Sequence, residues 1–269
     1  MDPSSREARI AGARAYEALH VPALFAQWCP RLLDAAGVTA SHRVLDVACG
    51  TGVLARAAAA RVGPSGRVSG IDPDIGMLAV ARELAPDVAW TEGVAEALPY
   101  PDDAFDAVVS QFGLMFLRDR TRAVGEMHRV LRPDGKLAVA VWDSLERSEA
   151  YAQIVSLLER RAGTAAADAL RAPFALGDAN ALVALFEAGG LVSVRVVTEH
   201  GTARFPDIRT LVEADLRGWL PVMGVQLAEA QIESILDEAD TVLAPCRTPD
   251  GSVRFDAPAH LVTARARPR

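Results

Sequence analysis

The sequence predicts an α/β fold, a mostly parallel sheet flanked by helices, and three observations carry that prediction. From residue 41 to 142 short β-branched runs alternate with helical stretches, the pattern of strand–helix units in a parallel sheet. Two later runs, Leu191-Val-Ser-Val-Arg-Val-Val197 and His260-Leu-Val-Thr-Ala264, read as further strands and bring the sheet to seven. The hydrophobic run Val44-Leu-Asp-Val-Ala48 passes directly into the small loop Cys49-Gly-Thr-Gly52 and then a helix, an order that in open sheets lies at the ligand-binding edge.

Ahead of the sheet, Pro22 to Ala36 places Leu24, Phe25, Trp28 and Leu32 at helical spacing and stops at Gly37, which predicts one helix packed on the domain. Strands are expected near 43–48, 67–71, 88–91, 106–111 and 136–142, with helices at Val53–Arg61, Ile75–Leu84 and Arg120–Leu131 between them. Pro133-Asp-Gly135 turns the chain into the fifth strand. Beyond Trp142 the period changes, and Tyr151, Ile154, Val155 and Leu158 form an amphipathic helical stripe. Another helix starts at Asp178 and stops at Gly189-Gly190. The roughly sixty residues between the last two strands are too many for a loop. Two helices, near 207–219 and 226–243, fill them. With no repeat or linker in sight, the expected organisation is N-terminal helices over the active site at 1–40 and a sheet domain at 41–269. That domain carries helical lid insertions at about 145–190 and 205–245.

Composition narrows the function classes. Of 269 residues, 51% are hydrophobic and 23% charged, the balance of a globular chain, and the net charge of −7 gives no footprint for a polyanion. Nucleic acid is therefore not an expected partner. Cys29, Cys49 and Cys246 are odd in number and lack ligand spacing, so neither a disulfide framework nor a metal site is expected. A reducing cytoplasm fits them. The N-terminus has no apolar core of a signal peptide and no run approaches membrane-spanning length, so no membrane partner is expected. A monomer or homodimer remains.

The informative segment is Val44-Leu-Asp-Val-Ala-Cys-Gly-Thr-Gly52. Glycines at 50 and 52 let the backbone turn tightly and approach a ligand. Asp46 is a carboxylate on an otherwise apolar strand, costly unless it is hydrogen-bonded or faces a ligand. Ile71-Asp72-Pro73 ends the second strand with an acid placed for ribose hydroxyls. These residues alone leave two ligands open, because Gly50-Thr-Gly52-Val-Leu-Ala55 also satisfies the G-x-G-x-x-G/A pattern of nicotinamide dinucleotides and so of an NAD(P)-dependent oxidoreductase.

Four segments in order resemble the motifs of class I S-adenosylmethionine (SAM)-dependent methyltransferases of the ubiquinone/menaquinone type. They are Val44–Gly52, Ile71-Asp-Pro-Asp-Ile-Gly-Met77-Leu, Gly93-Val-Ala-Glu-Ala-Leu-Pro-Tyr-Pro-Asp-Asp-Ala-Phe-Asp106 and Glu126-Met-His-Arg-Val-Leu-Arg-Pro-Asp-Gly135. The resemblance covers about residues 42–142. It implies a Rossmann-like fold, SAM as cofactor and S-adenosylhomocysteine as product. It also assigns Asp46, Ala48, Gly50 and Gly52 to the methionine side, with Cys49 and Thr51 of the same loop as cofactor-binding residues, Asp72, Pro73 and Met77 to ribose and adenine, and Ser110 and Gln111 to the sulfonium side. Val94 is a departure: that branch carries an acid there for the adenine amino group, which leaves Ala95 or Glu96 to hold adenine. A SAM-binding protein without methyl transfer would keep the same motifs.

The acceptor side is expected outside the matched core. Ile208, Leu211, Val212, Leu216 and Trp219 share a helical face, and Asp215 falls on it, either paired with Arg209 or Arg217 or functional. His20, before Val21-Pro22, reads as a base or a cap. Asp215 and His20 are the catalytic candidates. Tyr16, Trp28, Phe112, Trp142 and Trp219 are candidates for the wall of a pocket holding a small-molecule acceptor, or for core.

Overall fold

The computed structural model of the chain describes residues 3–266, so the first two and last three positions of the expected domain ranges lie outside the described residues. Its strands are β1 (Arg43–Val47), β2 (Arg67–Asp72), β3 (Ala89–Glu92), β4 (Phe105–Gln111), β5 (Leu131–Trp142), β6 (Val192–Phe205) and β7 (Val253–Arg265). They form one sheet in the order β3-β2-β1-β4-β5-β7-β6. Strands β1 to β5 pair in parallel, and β7 runs antiparallel to both β5 and β6. The winding reverses between β1 and β4, which opens a crevice at the carboxyl ends of those two strands.

Helices α1 (Pro3–His20), α2 (Cys29–Ala35), α3 (Val53–Val62), α4 (Ile75–Leu84) and α5 (Arg120–Val130) belong to the N-terminal half. The remainder are α6 (Glu149–Ala162), α7 (Thr164–Arg171), α8 (Ala179–Ala188), α9 (Ile208–Glu213), the short α10 (Leu220–Val222) and α11 (Glu229–Val242). Aspartates start four of them: Asp74, Asp119, Asp178 and Asp207 accept from amide N–H groups of the first turns of α4, α5, α8 and α9. The central strands are sealed on both faces, with Val44, Leu45, Ala107 to Val109 and Leu137 to Val141 fully buried. This is why they read as continuous apolar runs rather than alternating ones.

Three expectations need correction, and one helix was not foreseen. The single helix over 22–36 is instead a π-helical turn (Val21–Phe25), a 3-10 turn (Ala26–Trp28) and α2. Pro22 and Pro30 lack the N–H that a continuous helix needs, and each sits in the first positions of a new turn. The Pro133–Gly135 turn is a bulge inside β5: Asp134 has φ +61°, and the pairing jumps from Phe105↔Leu131 to Ala107↔Lys136. Strands β6 and β7 are longer than their apolar runs, because a partly exposed hairpin ladder continues to Phe205↔Val253. Alanine-rich α7 had no apolar stripe long enough to announce it.

Helix α1 crosses α4 closely. A Cβ added at Gly76 would come within 2.7 Å of the Arg9 backbone. Ion pairs Arg14–Glu83 (2.9 Å) and Arg56–Glu17 (2.5 Å) fasten it to α4 and α3.

Candidate active site

After β1 the chain turns through Ala48 (φ +57°), Gly50 (φ +53°) and Gly52 (φ +84°). Gly50 needs its conformation alone, whereas a Cβ at Gly52 would also strike the Trp90 ring at 2.3 Å. Ala48 takes the left-handed region despite its Cβ, and Phe112, just past β4, does the same at φ +56°. Such residues cost of order 1–3 kcal/mol each and concentrate at ligand sites. The two flank the crevice where the winding reverses.

Buried oxygens without partners stand at the carboxyl ends of β1 and β4. Asp46 is 1% exposed, and neither of its carboxyl oxygens has a hydrogen bond of normal geometry. Burial pushes its pKa well up; the Ala55 amide opposes this and the Asp72 charge adds to it. Thr51 Oγ1, Ser110 Oγ and Gln111 Oε1 are likewise buried and unpartnered, while Gln111 Nε2 donates to the Phe25 carbonyl (3.3 Å). Asp72 ties the loops together: Oδ2 accepts from the Gly50 N–H (2.9 Å) and Oδ1 from the Asp74 N–H (2.8 Å). Its pKa is raised by burial, against the pull of those two amides.

The donor set decides between the two ligands that the glycine pattern allows. Three of the five unpartnered atoms, the two Asp46 carboxyl oxygens and Gln111 Oε1, are acceptors, the other two are hydroxyls, and Arg56 beside the loop is engaged with Thr51 O (2.6 Å) and Glu17 (2.5 Å). A pyrophosphate placed there would meet carboxylates. A ligand carrying an ammonium, a sulfonium and ribose hydroxyls meets acceptors, so the residues fit SAM.

The remaining cofactor candidates border this crevice through the same loops. Cys49 is buried and donates weakly to the Gly50 carbonyl at 3.8 Å, a packing role. Pro73 is exposed and Met77 half-buried at the start of α4. On the adenine side Ala95 is buried, Val94 is 47% exposed, and Glu96 Oε1 accepts from the backbone amides of Arg118 (3.0 Å) and Asp119 (3.3 Å). That engagement leaves Glu96 less suited than a free acid to hold adenine.

Beside the crevice lies an aromatic wall. Phe112 stacks on Trp142 at 3.9 Å, Trp28 stands edge-on to both, and Phe25 joins Phe112 (5.4 Å) to Tyr16 (5.5 Å). Tyr16 stacks on His20 (5.5 Å), His20 meets Phe205 (6.5 Å), Phe205 stacks on Phe255 (6.3 Å), and Phe255 meets Tyr151 (5.7 Å). Four of the five predicted pocket residues are thus brought together. Trp219 stands apart: its ring meets Phe116 (5.1 Å) and its Nε1 donates to the Ala169 carbonyl (2.8 Å).

Neither polar candidate makes the structural contact that the sequence offered as its alternative role. His20 makes no side-chain cap, its Nδ1 is buried without a partner, and burial lowers its pKa to about 4. Asp215 pairs with neither arginine: Arg209 goes to Glu233 (2.9 Å) and Arg217 to Glu213 (2.7 Å) and Glu229. It is 4% exposed, Oδ2 has no partner, and burial raises its pKa to about 8. Sequence reasoning missed Glu17, Arg56, Phe205 and Phe255, which carry no motif, and took Tyr151 only as a member of a helical stripe. Among the described residues no group of side chains forms a metal site, and no single helix is long and apolar enough to cross a membrane.

Comparisons with known proteins agree with this geometry. A family model described as a methyltransferase domain matches residues 44–135. The ubiquinone/menaquinone biosynthesis C-methyltransferase UbiE of Hahella chejuensis is 42% identical over 118 residues, covering 42% of this chain and 47% of that protein. The chain spans about half the length of the curated relatives it matches. Among solved structures, the YcgJ protein of Bacillus subtilis has a TM-score of 0.60 at 22% identity, covering 90% of this chain and 99% of that one. Haemonchus contortus phosphoethanolamine N-methyltransferase 2, solved with phosphomonomethylethanolamine and S-adenosylhomocysteine, has a TM-score of 0.60 at 18% identity, covering 97% and 58%. At these identities the structures speak for the Rossmann-like fold. Residues 44–135, from β1 into β5, match the methyltransferase-domain model, on a sheet of Rossmann-like order whose seventh strand runs antiparallel.

Proposed function

We propose that the protein transfers the methyl group of SAM to oxygen, nitrogen or carbon of a small natural-product or quinone-like acceptor. The observation that carries this reading is the set of buried, unpartnered oxygens on Asp46, Thr51, Ser110 and Gln111 at the ends of β1 and β4. A polar atom buried without a partner costs about 1–3 kcal/mol, and a bound ligand with matching donors recovers it.

When bound, SAM supplies an already activated methyl group. Its holders would be Asp46 and the Ala48–Gly52 turn on the methionine side, Asp72, Pro73 and Met77 at ribose and adenine, and Ser110 and Gln111 near the sulfonium. The rest of the work is alignment and exclusion of water. Holding the nucleophile about 3–3.5 Å from the methyl carbon supplies several kcal/mol. The N-terminal helices, fastened to α3 and α4, close the crevice, and the wall formed by Tyr16, Phe25, Phe112 and Trp142 provides a flat apolar seat beside it. His20, neutral and with Nδ1 unpartnered, would accept a hydrogen bond from the acceptor, and Asp215, buried with Oδ2 unpartnered, is the second polar candidate. A small molecule in the cytoplasm is the setting we infer.

The test is S-adenosylhomocysteine formation from SAM with a panel of phenols, amines and quinols. At least one class should give product above background. Tight cofactor binding with no product from any class would replace methyl transfer by SAM binding alone.

A further inference from the structure

We propose that Arg204 and Arg254 form a binding site for a phosphate-class dianion on the open face of the β6–β7 hairpin, away from the cofactor crevice. The site stands on the hairpin and its neighbours and does not depend on the methyltransferase reading.

The strand register sets the two arginines directly opposite each other, within the run of pairs Thr202↔Asp256, Ala203↔Phe255, Arg204↔Arg254 and Phe205↔Val253. Side chains alternate along each strand, so one face of this ladder carries Ala203, Phe205, Val253 and Phe255, all buried. The other carries Thr202, Arg204, Arg254 and Asp256, half-buried or exposed. Phe205 and Phe255 on the buried face stack at 6.3 Å as part of the aromatic wall. The arginines therefore stand on the reverse side of the strands that support that wall.

Residues directly opposite in an antiparallel pair hold their Cβ atoms about 4.5–5.5 Å apart, and like charges so placed repel. Other arginines of the C-terminal half avoid this cost: Arg160, Arg209 and Arg217 are each paired with a glutamate. Arg204 and Arg254 make no hydrogen bond or ion pair among the described residues. The fold brings two positive charges together and supplies no carboxylate to either.

A cleft of about 400 Å³ opens beside Arg254 and is lined also by Thr202, Cys246, Arg247, Thr248 and Asp256. Its charged groups are engaged with one another. Asp256 Oδ2 lies 2.6 Å from His200 Nδ1, and Arg247 is paired with Asp240. Asp250, next along the chain from the cleft, accepts from the hydroxyls of Thr248 (2.5 Å) and Ser252 (2.8 Å). Cys246 adds no charge, because burial and the Glu149 carboxylate hold its thiol protonated. Arg254 and its neighbour Arg204 are the cations left without a counterpart. Thr202 adds a third donor: Gln27 fixes its backbone through both N–H (2.8 Å) and carbonyl (2.9 Å), while its hydroxyl makes no hydrogen bond among the described residues.

Two guanidinium groups and a hydroxyl on one face match the charge and the terminal oxygens of a phosphate, which planar guanidinium groups hold through paired N–H bonds. A monocarboxylate would leave one of the two charges unmatched. The cleft exceeds the size of bare phosphate and so has room for the organic part of a phosphomonoester beside Pro245 and Phe255. A bound dianion replaces repulsion across the hairpin by attraction and fastens the strands behind Phe205 and Phe255.

The test is thermal unfolding and calorimetric titration of the full chain with inorganic phosphate and with phenyl phosphate, against chloride at matched ionic strength. Both phosphates should bind saturably and raise the midpoint, and chloride should not. Tighter binding of phenyl phosphate assigns the site to a monoester, and equal or weaker binding assigns it to the free ion. Arg204→Gln and Arg254→Gln should each weaken phosphate at least about tenfold, the loss of one set of charge-assisted bonds. Without phosphate both variants should be as stable as the wild type or more so, since each removes a like-charge neighbour. Circular dichroism spectra matching wild type report that they are folded. Absence of a saturable response in the wild type, an undiminished response in the variants, or variants less stable than the wild type in chloride alone would overturn the inference.

Discussion

Arg56 joins Glu17 of the N-terminal helix to the glycine loop: one nitrogen lies 2.5 Å from Glu17 Oε1 and the other 2.6 Å from the Thr51 carbonyl. One side chain thereby ties α1 to the loop. Glu17→Ala should weaken S-adenosylhomocysteine binding about fivefold, the effect of a partly buried ion pair worth about 1 kcal/mol. Calorimetric dissociation constants check this, and an unchanged value would mean that α1 does not close over the ligand.

Asp72 has a larger expected effect. Its carboxylate holds the Gly50 and Asp74 amides and is placed for ribose. Asp72→Ala removes charge-assisted bonds of about 1.5–3 kcal/mol each, so affinity should fall at least about 100-fold. A circular dichroism spectrum matching wild type would confirm that the loss is local, and a fall below tenfold would argue against the assignment.

Val94 is 47% exposed on the adenine side, where Glu96 is occupied by two backbone amides. Val94→Asp supplies the missing acceptor. A gain of roughly 1 kcal/mol, about fivefold in affinity, is expected in the same titration. No gain would show that the adenine amino group lies elsewhere.

Asp215 should leave a signature in stability against pH. Its folded pKa, about 8, is above the ordinary 3.8. The native chain therefore holds a proton that the unfolded chain releases, and the associated stability is complete below about pH 4 and lost as pH rises through 8. Asp215→Asn removes this dependence. Its stability relative to wild type should rise between pH 5 and 8, at a limiting slope of about 1.4 kcal/mol per pH unit. Denaturant midpoints at several pH values measure it, and parallel profiles would show that Asp215 is solvated.

The parallel half of the sheet was legible because β1, β4 and β5 are buried on both faces, so their apolar runs needed no alternation, and because Asp74 and Asp178 mark helix starts. The loop from Asp46 to Gly52 was legible through its glycines. Asp215 could be placed on an apolar stripe by spacing, but its isolation could not be read. The arginines beside it are drawn off by Glu229 and Glu233 of α11, residues that only tertiary packing brings near. The two π-helical turns were hidden for the same reason, since a period of 3.6 fits their apolar positions as well as a regular helix does. Tyr151 reads as core from its spacing, and its ring packs against Phe174 and Phe255.

The central claim is that the crevice between β1 and β4 holds SAM. Thermal unfolding of the full chain with S-adenosylhomocysteine, NADH or NADPH at equal concentration tests it most directly. A ligand of the folded state at 100 times its dissociation constant adds about 2.7 kcal/mol, a clear rise in the midpoint. S-adenosylhomocysteine alone should produce it. Stabilisation by a nicotinamide and not by S-adenosylhomocysteine would contradict it.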